Sequence, residues 1–173
     1  IITRTANVYG PYQDLYRVIP KTILSIMNNK DIIIHGKGKS VRSFIHIQDV
    51  NKALLRILNT KNIGKSFHIS TDKFISIKQL CEKIREKMNS VVKLKYISDR
   101  TGKDFAYKLA SDKIKKIGWK SNISINEGLN ETIEWYTKNI HKLNKLNKKI
   151  IQKKKKNEKK NSYNWWMWLY WNK

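Results

Sequence analysis

Apolar positions along the chain fall into short blocks of two kinds, and the two kinds take turns. Ile19, Ile23, Leu24, Ile26 and Met27 recur at helical spacing and predict a helix over Pro20–Met27. Pro20 suits its first turn, where a missing N–H costs nothing. Val50, Ala53, Leu54, Ile57 and Leu58 share one face of a second helix, with Asp49 as its expected cap and Gly64 as its break. Ile77, Leu80, Cys81 and Ile84 do the same for a helix over Ile77–Met88 that follows Ser76. A short helix is expected over Ser111–Ile117, ended by Gly118, and a last one over Ile125–Ile140. Ser124 and Glu127 open that last helix with the S-x-x-E spacing of a capping box. Between these lie blocks with strand character: Ile1–Val8, Ile32–His35, Phe44–Ile47, Phe67–Ser70 and Val91–Ile97. Strands and helices alternate through most of the chain, so the predicted class is α/β.

The pattern stops near Asn139. Residues 1–140 are expected to form the folded part and residues 141–173 a basic tail of low complexity. The tail holds 11 Lys and one Glu, including Lys153-Lys154-Lys155-Lys156, and ends in a cluster with four of the six Trp residues. A basic run beside Trp fits a membrane interface; a translated frameshift or read-through fits equally.

Charge changes this picture less than its size suggests. The net charge is +24, which ordinarily points to nucleic acid or anionic membrane. Yet 31 of the 37 basic residues are Lys, and Ile (25) and Asn (17) are abundant as well. These three residues share A/T-rich codons, so codon drift with a solvated lysine surface competes with binding of phosphate-bearing ligands. One cysteine excludes an intramolecular disulfide framework and a cysteine-based zinc site. The four histidines lack metal-ligand spacing, so no metal is expected. No apolar run reaches transmembrane length and no signal-peptide pattern opens the chain, so a cytoplasmic location is expected. The chain opens on Ile1-Ile2-Thr3-Arg4, in the manner of a strand interior, and is read as a piece of a longer protein.

Three blocks carry candidate chemistry. In Arg4–Gln13, Asn7 stands at the carboxyl end of a predicted strand and before the Gly10-Pro11 turn. Strand ends of this kind are where α/β sheets bind ligands, and the Asn amide either meets a ligand or bonds the turn backbone. In Ile34–Val50, the Gly36/Gly38 turn allows close backbone approach, and Arg42 precedes an apolar strand. A guanidinium there forks onto phosphate oxygens or joins a surface salt bridge. In Asp99–Asp104, Arg100 sits in a polar loop between two acids that can pair with it locally.

In this order the blocks resemble the nucleotide-sugar epimerases and dehydratases of the extended short-chain dehydrogenase/reductase family, most nearly the dTDP-glucose 4,6-dehydratase type. The family's R-x-x-N-x-Y-G-P stands at Arg4–Pro11, its I-P at Ile19-Pro20 and its G-x-G-x-x-x-R-[DS]-x-x-x-V-x-D run at Gly36–Asp49. Its D-R-x-G-x-D stands at Asp99–Asp104, and its G-W and E-G…W-Y ending at Gly118-Trp119 and Glu127–Tyr136. The resemblance covers roughly residues 1–140. It implies the carboxyl-terminal part of a Rossmann-type fold with the small substrate-binding domain.

The resemblance also implies roles. Asn7 would contact the diphosphate or sugar and Val8 the NAD cofactor. Arg17 and Val18 would line the substrate pocket. Ile33, Ile34 and His35 would hold the nucleotide base, although dehydratases often have Tyr where His35 stands. Arg42 and Arg100 would clamp the diphosphate. Lys103 replaces a His common in that loop, and Ser43 replaces the commoner Asp after the Arg. The complete enzyme of this kind oxidises its sugar at C4 with NAD, eliminates water across C5–C6 and returns the hydride. Epimerase and decarboxylase chemistry occur in the same family.

Two family motifs are missing from these 173 residues. There is no G-x-x-G-x-x-G dinucleotide loop and no Y-x-x-x-K catalytic pair. The chain is therefore expected to be the carboxyl-terminal, substrate-binding half, with no catalytic residue of its own. Its expected partner is a nucleotide-diphosphate sugar, and the full-length enzyme is expected to be a homodimer. The competing class is a basic protein that binds nucleic acid or a membrane surface. Nucleic acid is disfavoured because interleaved basic and aromatic residues occur only at the extreme end, and membrane contact is expected nowhere but that end.

Overall fold

The computed structural model describes residues 1–60, 63–99, 106, 107 and 109–143. The chain divides into two units, Ile1–Thr137 and Lys138–Lys173. In the second, residues up to Leu143 are described and continue in helical conformation, with the Leu143 N–H donating to Asn139 O at 3.1 Å.

The opening segment is two strands where the sequence suggests one. Ile2–Thr5 (β1) and Asn7–Tyr9 (β2) are separated by Ala6. The Ala6 N–H donates to Ile69 O at 2.9 Å, and the next amide, of Asn7, donates to Ser43 O at 3.1 Å. The chain changes hydrogen-bond partner within one residue. An apolar pattern cannot reveal this, because both halves stay strand-like.

The next elements follow the apolar pattern closely. Val18–Met27 (α1) begins two residues earlier than expected and keeps Pro20 in its first turn. Ile32–His35 (β3) is as predicted. Val41–Arg42 (β4) is too short to carry a periodic signal. Phe44–His46 (β5) runs directly into Ile47–Leu58 (α2). His46, not Asp49, is the N-cap of α2. Asp49 lies inside the first turn, where it is fully buried.

The remaining elements are Ser66–Ile69 (β6), Ile75–Ser76 (β7), Ile77–Lys87 (α3), Leu94–Ile97 (β8), Ala106–Tyr107 (β9), Asp112–Lys115 (α4) and Ile125–Lys138 (α5). Ser76 and Gln79 form a reciprocal capping box on α3. The expected box on α5 is present too: the Glu127 N–H donates to Ser124 Oγ at 3.2 Å, and the Ser124 N–H to Glu127 Oε2 at 2.9 Å.

Parallel pairing dominates. β1 pairs with β6, β2 with β5 and β3 with β8, all parallel. A small sheet places β4 between antiparallel β7 and parallel β9. One core gathers Ala6, Ile45, Val50, Ala53, Ile57, Phe67, Ile69, Ile114 and Trp119. A second joins Ile32, Ile34, Cys81 and Val92 where α1 and α3 pack. Cys81 is a core residue, 3.5 Å from Thr22 Oγ1, and burial pushes its thiol pKa up.

Candidate functional site

The carboxyl ends of β2 and β3 open into one cavity of about 820 Å³. The chain leaving β2 turns sharply at Gly10, whose φ is +147°. A Cβ there would stand 2.7 Å from Ile47 Cγ2 and 3.2 Å from His46 Nε2, so the loop rests directly on the β5–α2 junction. Tyr12 follows with φ of +63°, 83% exposed, its ring centroid 4.3 Å from that of Trp135. The loop then delivers the chain to α1.

Eight of the ten sequence-predicted site residues border this cavity: Asn7, Val8, Arg17, Val18, Ile33, Ile34, His35 and Arg42. The other two, Arg100 and Lys103, lie outside the described residues. Asn7 Nδ2 donates to Ser43 O at 3.1 Å, which fixes the side chain against β5 and leaves the carboxamide oxygen and the second N–H for other partners. Strand alternation divides β3: Ile34 is 1% exposed and packs in the core beside Ile32, Cys81 and Val92. Ile33 and His35 are half-buried on the opposite face. Of the three residues expected to grip a base, Ile34 thus has its side chain in the core.

The wall is amphipathic. Val8, Val18, Ile33 and Phe44 supply apolar surface, while among the described residues Arg17, Lys21 and Arg42 supply cations against one carboxylate, Asp14. Arg42 is half-buried, and its Nη1 donates to Val41 O at 2.8 Å, which orients the guanidinium along β4. Positive charge beside apolar surface suits an anionic ligand with a planar or apolar part.

Residues 100–105 lie outside the described residues, and the residues on either side of them contact the ends of β3 and β4. On one side, Asp99 packs on Gly36, where an added Cβ would lie 2.7 Å from Asp99 Cγ, and the Gly36 N–H donates to Ile97 O at 2.7 Å. On the other, Ala106 and Tyr107 pair with Val41 and Arg42. The Gly36/Gly38 turn does allow close approach, as its glycines predict. The space at Gly36 is taken by Asp99, and that at Gly38 by Ile34 Cγ2 and Lys78 Cβ, both 3.0 Å from an added Cβ. The close approach these glycines permit is to the protein itself.

Behind the loop lies a buried polar cluster. Tyr9 is 2% exposed and its ring stands edge-on to His46, with centroids 5.3 Å apart. Its hydroxyl abuts Gly128, where an added Cβ would lie 2.9 Å from Tyr9 Cζ. Burial, and then the charges of Asp49, Glu131 and Glu127, push the Tyr9 pKa far up. His46 Nε2 stands 3.8 Å from Glu131 Oε2, and burial lowers the imidazole pKa. Asp49 Oδ2 accepts the N–H groups of Asn122 (3.0 Å) and Ile123 (2.9 Å), and Trp119 Nε1 donates to Asp49 O at 3.1 Å. The carboxylate ties α2 to the loop before α5. His46 is packed in the interior, 1% exposed.

Sequence reasoning missed Lys21, Phe44 and Gln13 as lining residues and Tyr136 behind them. Lys21 had a signal, because it sits one helical turn after Arg17 on α1 and so shares its face. The link from Tyr136 to Gln13 spans 123 positions and left no local trace.

Among the described residues no group of His, Cys, Asp and Glu is placed to hold a metal ion. No helix among them is long and apolar enough to cross a membrane.

Comparison with known proteins gives these relationships. Residues 1–70 match the model of the NAD dependent epimerase/dehydratase family. The chain is 36% identical over 157 residues to a dTDP-D-glucose 4,6-dehydratase of Mus musculus, covering 87% of this chain and 44% of that protein. It therefore spans less than half the length of this curated relative. A UDP-glucose 4-epimerase of Thermotoga maritima, solved with UDP-glucose, superposes with a TM-score of 0.76 at 29% identity, over 80% of this chain and 46% of that one. A dTDP-glucose 4,6-dehydratase of Streptomyces venezuelae, solved with NAD and TYD bound, superposes with a TM-score of 0.77 at 27% identity, over 80% and 44%.

Proposed function

We propose that this chain, a relative in sequence and fold of the NAD-dependent epimerases and dehydratases, forms the nucleotide-sugar-binding half of an NAD-dependent 4,6-dehydratase of the dTDP-glucose type. The observation that carries this reading is the cavity itself. Residues from β2, β3, β4 and α1, up to 35 positions apart, converge there as apolar wall and cation. The identity of 36% to a dehydratase favours dehydration over the epimerase alternative. Residues 1–140 carry the binding function, and 141–173 are an appended tail.

In this reading Arg17, Lys21 and Arg42 neutralise the diphosphate, and Arg42 closes a clamp with Arg100. The pairing of Ala106 and Tyr107 with Val41 and Arg42 supports the clamp, because it brings the chain that follows Arg100 onto Arg42's own strand. Arg is better suited than Lys here, since its planar fork meets two phosphate oxygens at once. Val18 and Ile33 pack against the sugar nucleotide, and Asn7, held by Ser43, orients the diphosphate or sugar.

When bound, NAD supplies reversible hydride acceptance in this family. This chain offers it a wall at Val8, and its sequence holds no G-x-x-G-x-x-G loop for the pyrophosphate. The Gly36/Gly38 turn runs from β3 into β4 instead of into a helix, and its space is filled by Asp99, Ile34 and Lys78. No Y-x-x-x-K pair is present either. The chain's own contribution is to bind and orient the sugar nucleotide.

Calorimetric titration of the purified chain with dTDP-glucose and UDP-glucose tests this. Arg42→Ala and Arg100→Ala should each weaken binding by about 1.5–3 kcal/mol, the scale of a charged hydrogen bond. A parent that binds neither ligand, or variants that bind like the parent, would overturn the proposal.

A further inference from the structure

We infer that Tyr136 is a positioning residue for the cavity: through Gln13 it holds the backbone of Val8, and with it the loop that forms one wall. The loop needs an external hold. Gly10 and Tyr12 both have positive φ, and for Tyr12, at +63°, the left-handed conformation is intrinsically unfavourable. No strand or helix spans residues 10–17 to supply backbone bonds.

The hold comes from α5. Tyr136 Oη donates to Gln13 O at 2.6 Å, and Gln13 Nε2 donates in turn to Val8 O at 2.5 Å. Two short hydrogen bonds thus connect a helix near residue 136 to the end of β2. The neighbouring Trp135 ring contacts that of Tyr12. The start of α5 is fixed separately, by its capping box and by Gly128 against Tyr9. The helix is therefore seated before its far end takes the loop.

Tyr136 is fully buried, and burial, with Asp14 adding to it, pushes its pKa up to about 12. The hydroxyl stays protonated and keeps donating across the neutral range. A ring that only fills space has no need of that hydroxyl, so Tyr136→Phe separates the two roles.

The test uses the full chain. Hydrogen–deuterium exchange of Tyr136→Phe should show amides of Val8–Asp14 exchanging about tenfold faster, with α2 and β6 unchanged. Gln13→Leu, which removes the donor to Val8 and leaves the Gln13 carbonyl, should free the Val8 end in the same way. The double variant should add little to either, as members of one network do. If the cavity takes a nucleoside diphosphate, as proposed above, Tyr136→Phe should also weaken dTDP binding by about fivefold, the worth of one neutral hydrogen bond. That loss should be constant from pH 6 to 9. Unchanged exchange in Val8–Asp14, or acceleration spread evenly over the chain, overturns the inference. A parent that fails to bind dTDP overturns the ligand reading alone, because the exchange comparison needs no ligand.

Discussion

His46 shows what single residues contribute beneath the site. Its ring is 1% exposed, and neither nitrogen has a hydrogen-bond partner among the described residues. Burial favours the neutral imidazole and lowers its pKa, while Glu131 and, more weakly, Asp49 pull the other way. Glu131 is itself occupied, accepting from Gln48 Nε2 at 3.0 Å. The unfolded chain therefore takes up a proton at higher pH than the folded one. Above the ordinary histidine pKa of about 6.5 both states are neutral and the native state carries no penalty. Stability falls as pH drops below that value and goes on falling until the folded histidine also protonates. Melting temperature should decline between pH 7.5 and 5.5, and His46→Phe, which keeps the ring, should flatten that decline. Glu127 does not confuse the result. Its pKa is lowered, chiefly by hydrogen bonds from Ser124, so its contribution is lost only below the ordinary carboxylate range. A parent and variant with equal slopes would show that His46 is not the responsible group.

At the scale of elements, α5 supports the site without lining it. Its glycine looks like a weakness, since Gly in a helix interior costs about 1 kcal/mol relative to Ala. Here Gly128 lets the buried Tyr9 ring lie against the helix backbone. An Ala methyl would stand 2.9 Å from Tyr9 Cζ, and Tyr9 is held by Phe44 and His46 on its other sides. Overpacking costs of about 1–3 kcal/mol exceed the gain in helix propensity. Gly128→Ala should therefore lower stability in chemical denaturation. An increase would mean that Tyr9 has room to move. The same helix shows what was readable beforehand: its Ser124/Glu127 cap is local and was visible as a spacing, whereas its contacts with Tyr9, Tyr12 and Gln13 reach across more than a hundred residues.

For the whole molecule, the decisive fact is how the parts of an active site are distributed. The chain brings eight expected binding residues to one cavity but has no glycine-rich dinucleotide loop and no Y-x-x-x-K pair in its sequence. It should not convert dTDP-glucose to a 4-keto product when incubated alone with NAD. Robust turnover would mean that other groups perform the hydride and proton transfers. The charge of +24 is spread over the whole chain, whereas among the described residues the cavity wall carries Arg17, Lys21 and Arg42 against Asp14.

The elements themselves were legible in the residues. Helical and alternating periods located all the longer strands and helices, because burying one face imposes a period on the sequence. The Asn7 and Arg42 blocks were local too, and both residues border the cavity. The two-residue strands β4, β7 and β9 left no period to detect, being held by neighbours and not by their own pattern. The switch of partner at Ala6 was hidden because pairing with β6 or β5 demands the same strand character. Asp49 read as a helix cap because a cap is a local bond. Its actual partners, Asn122 and Ile123, lie more than seventy residues away. Long-range hydrogen bonds and close packing depend on which surfaces meet, and only the folded chain brings those surfaces together.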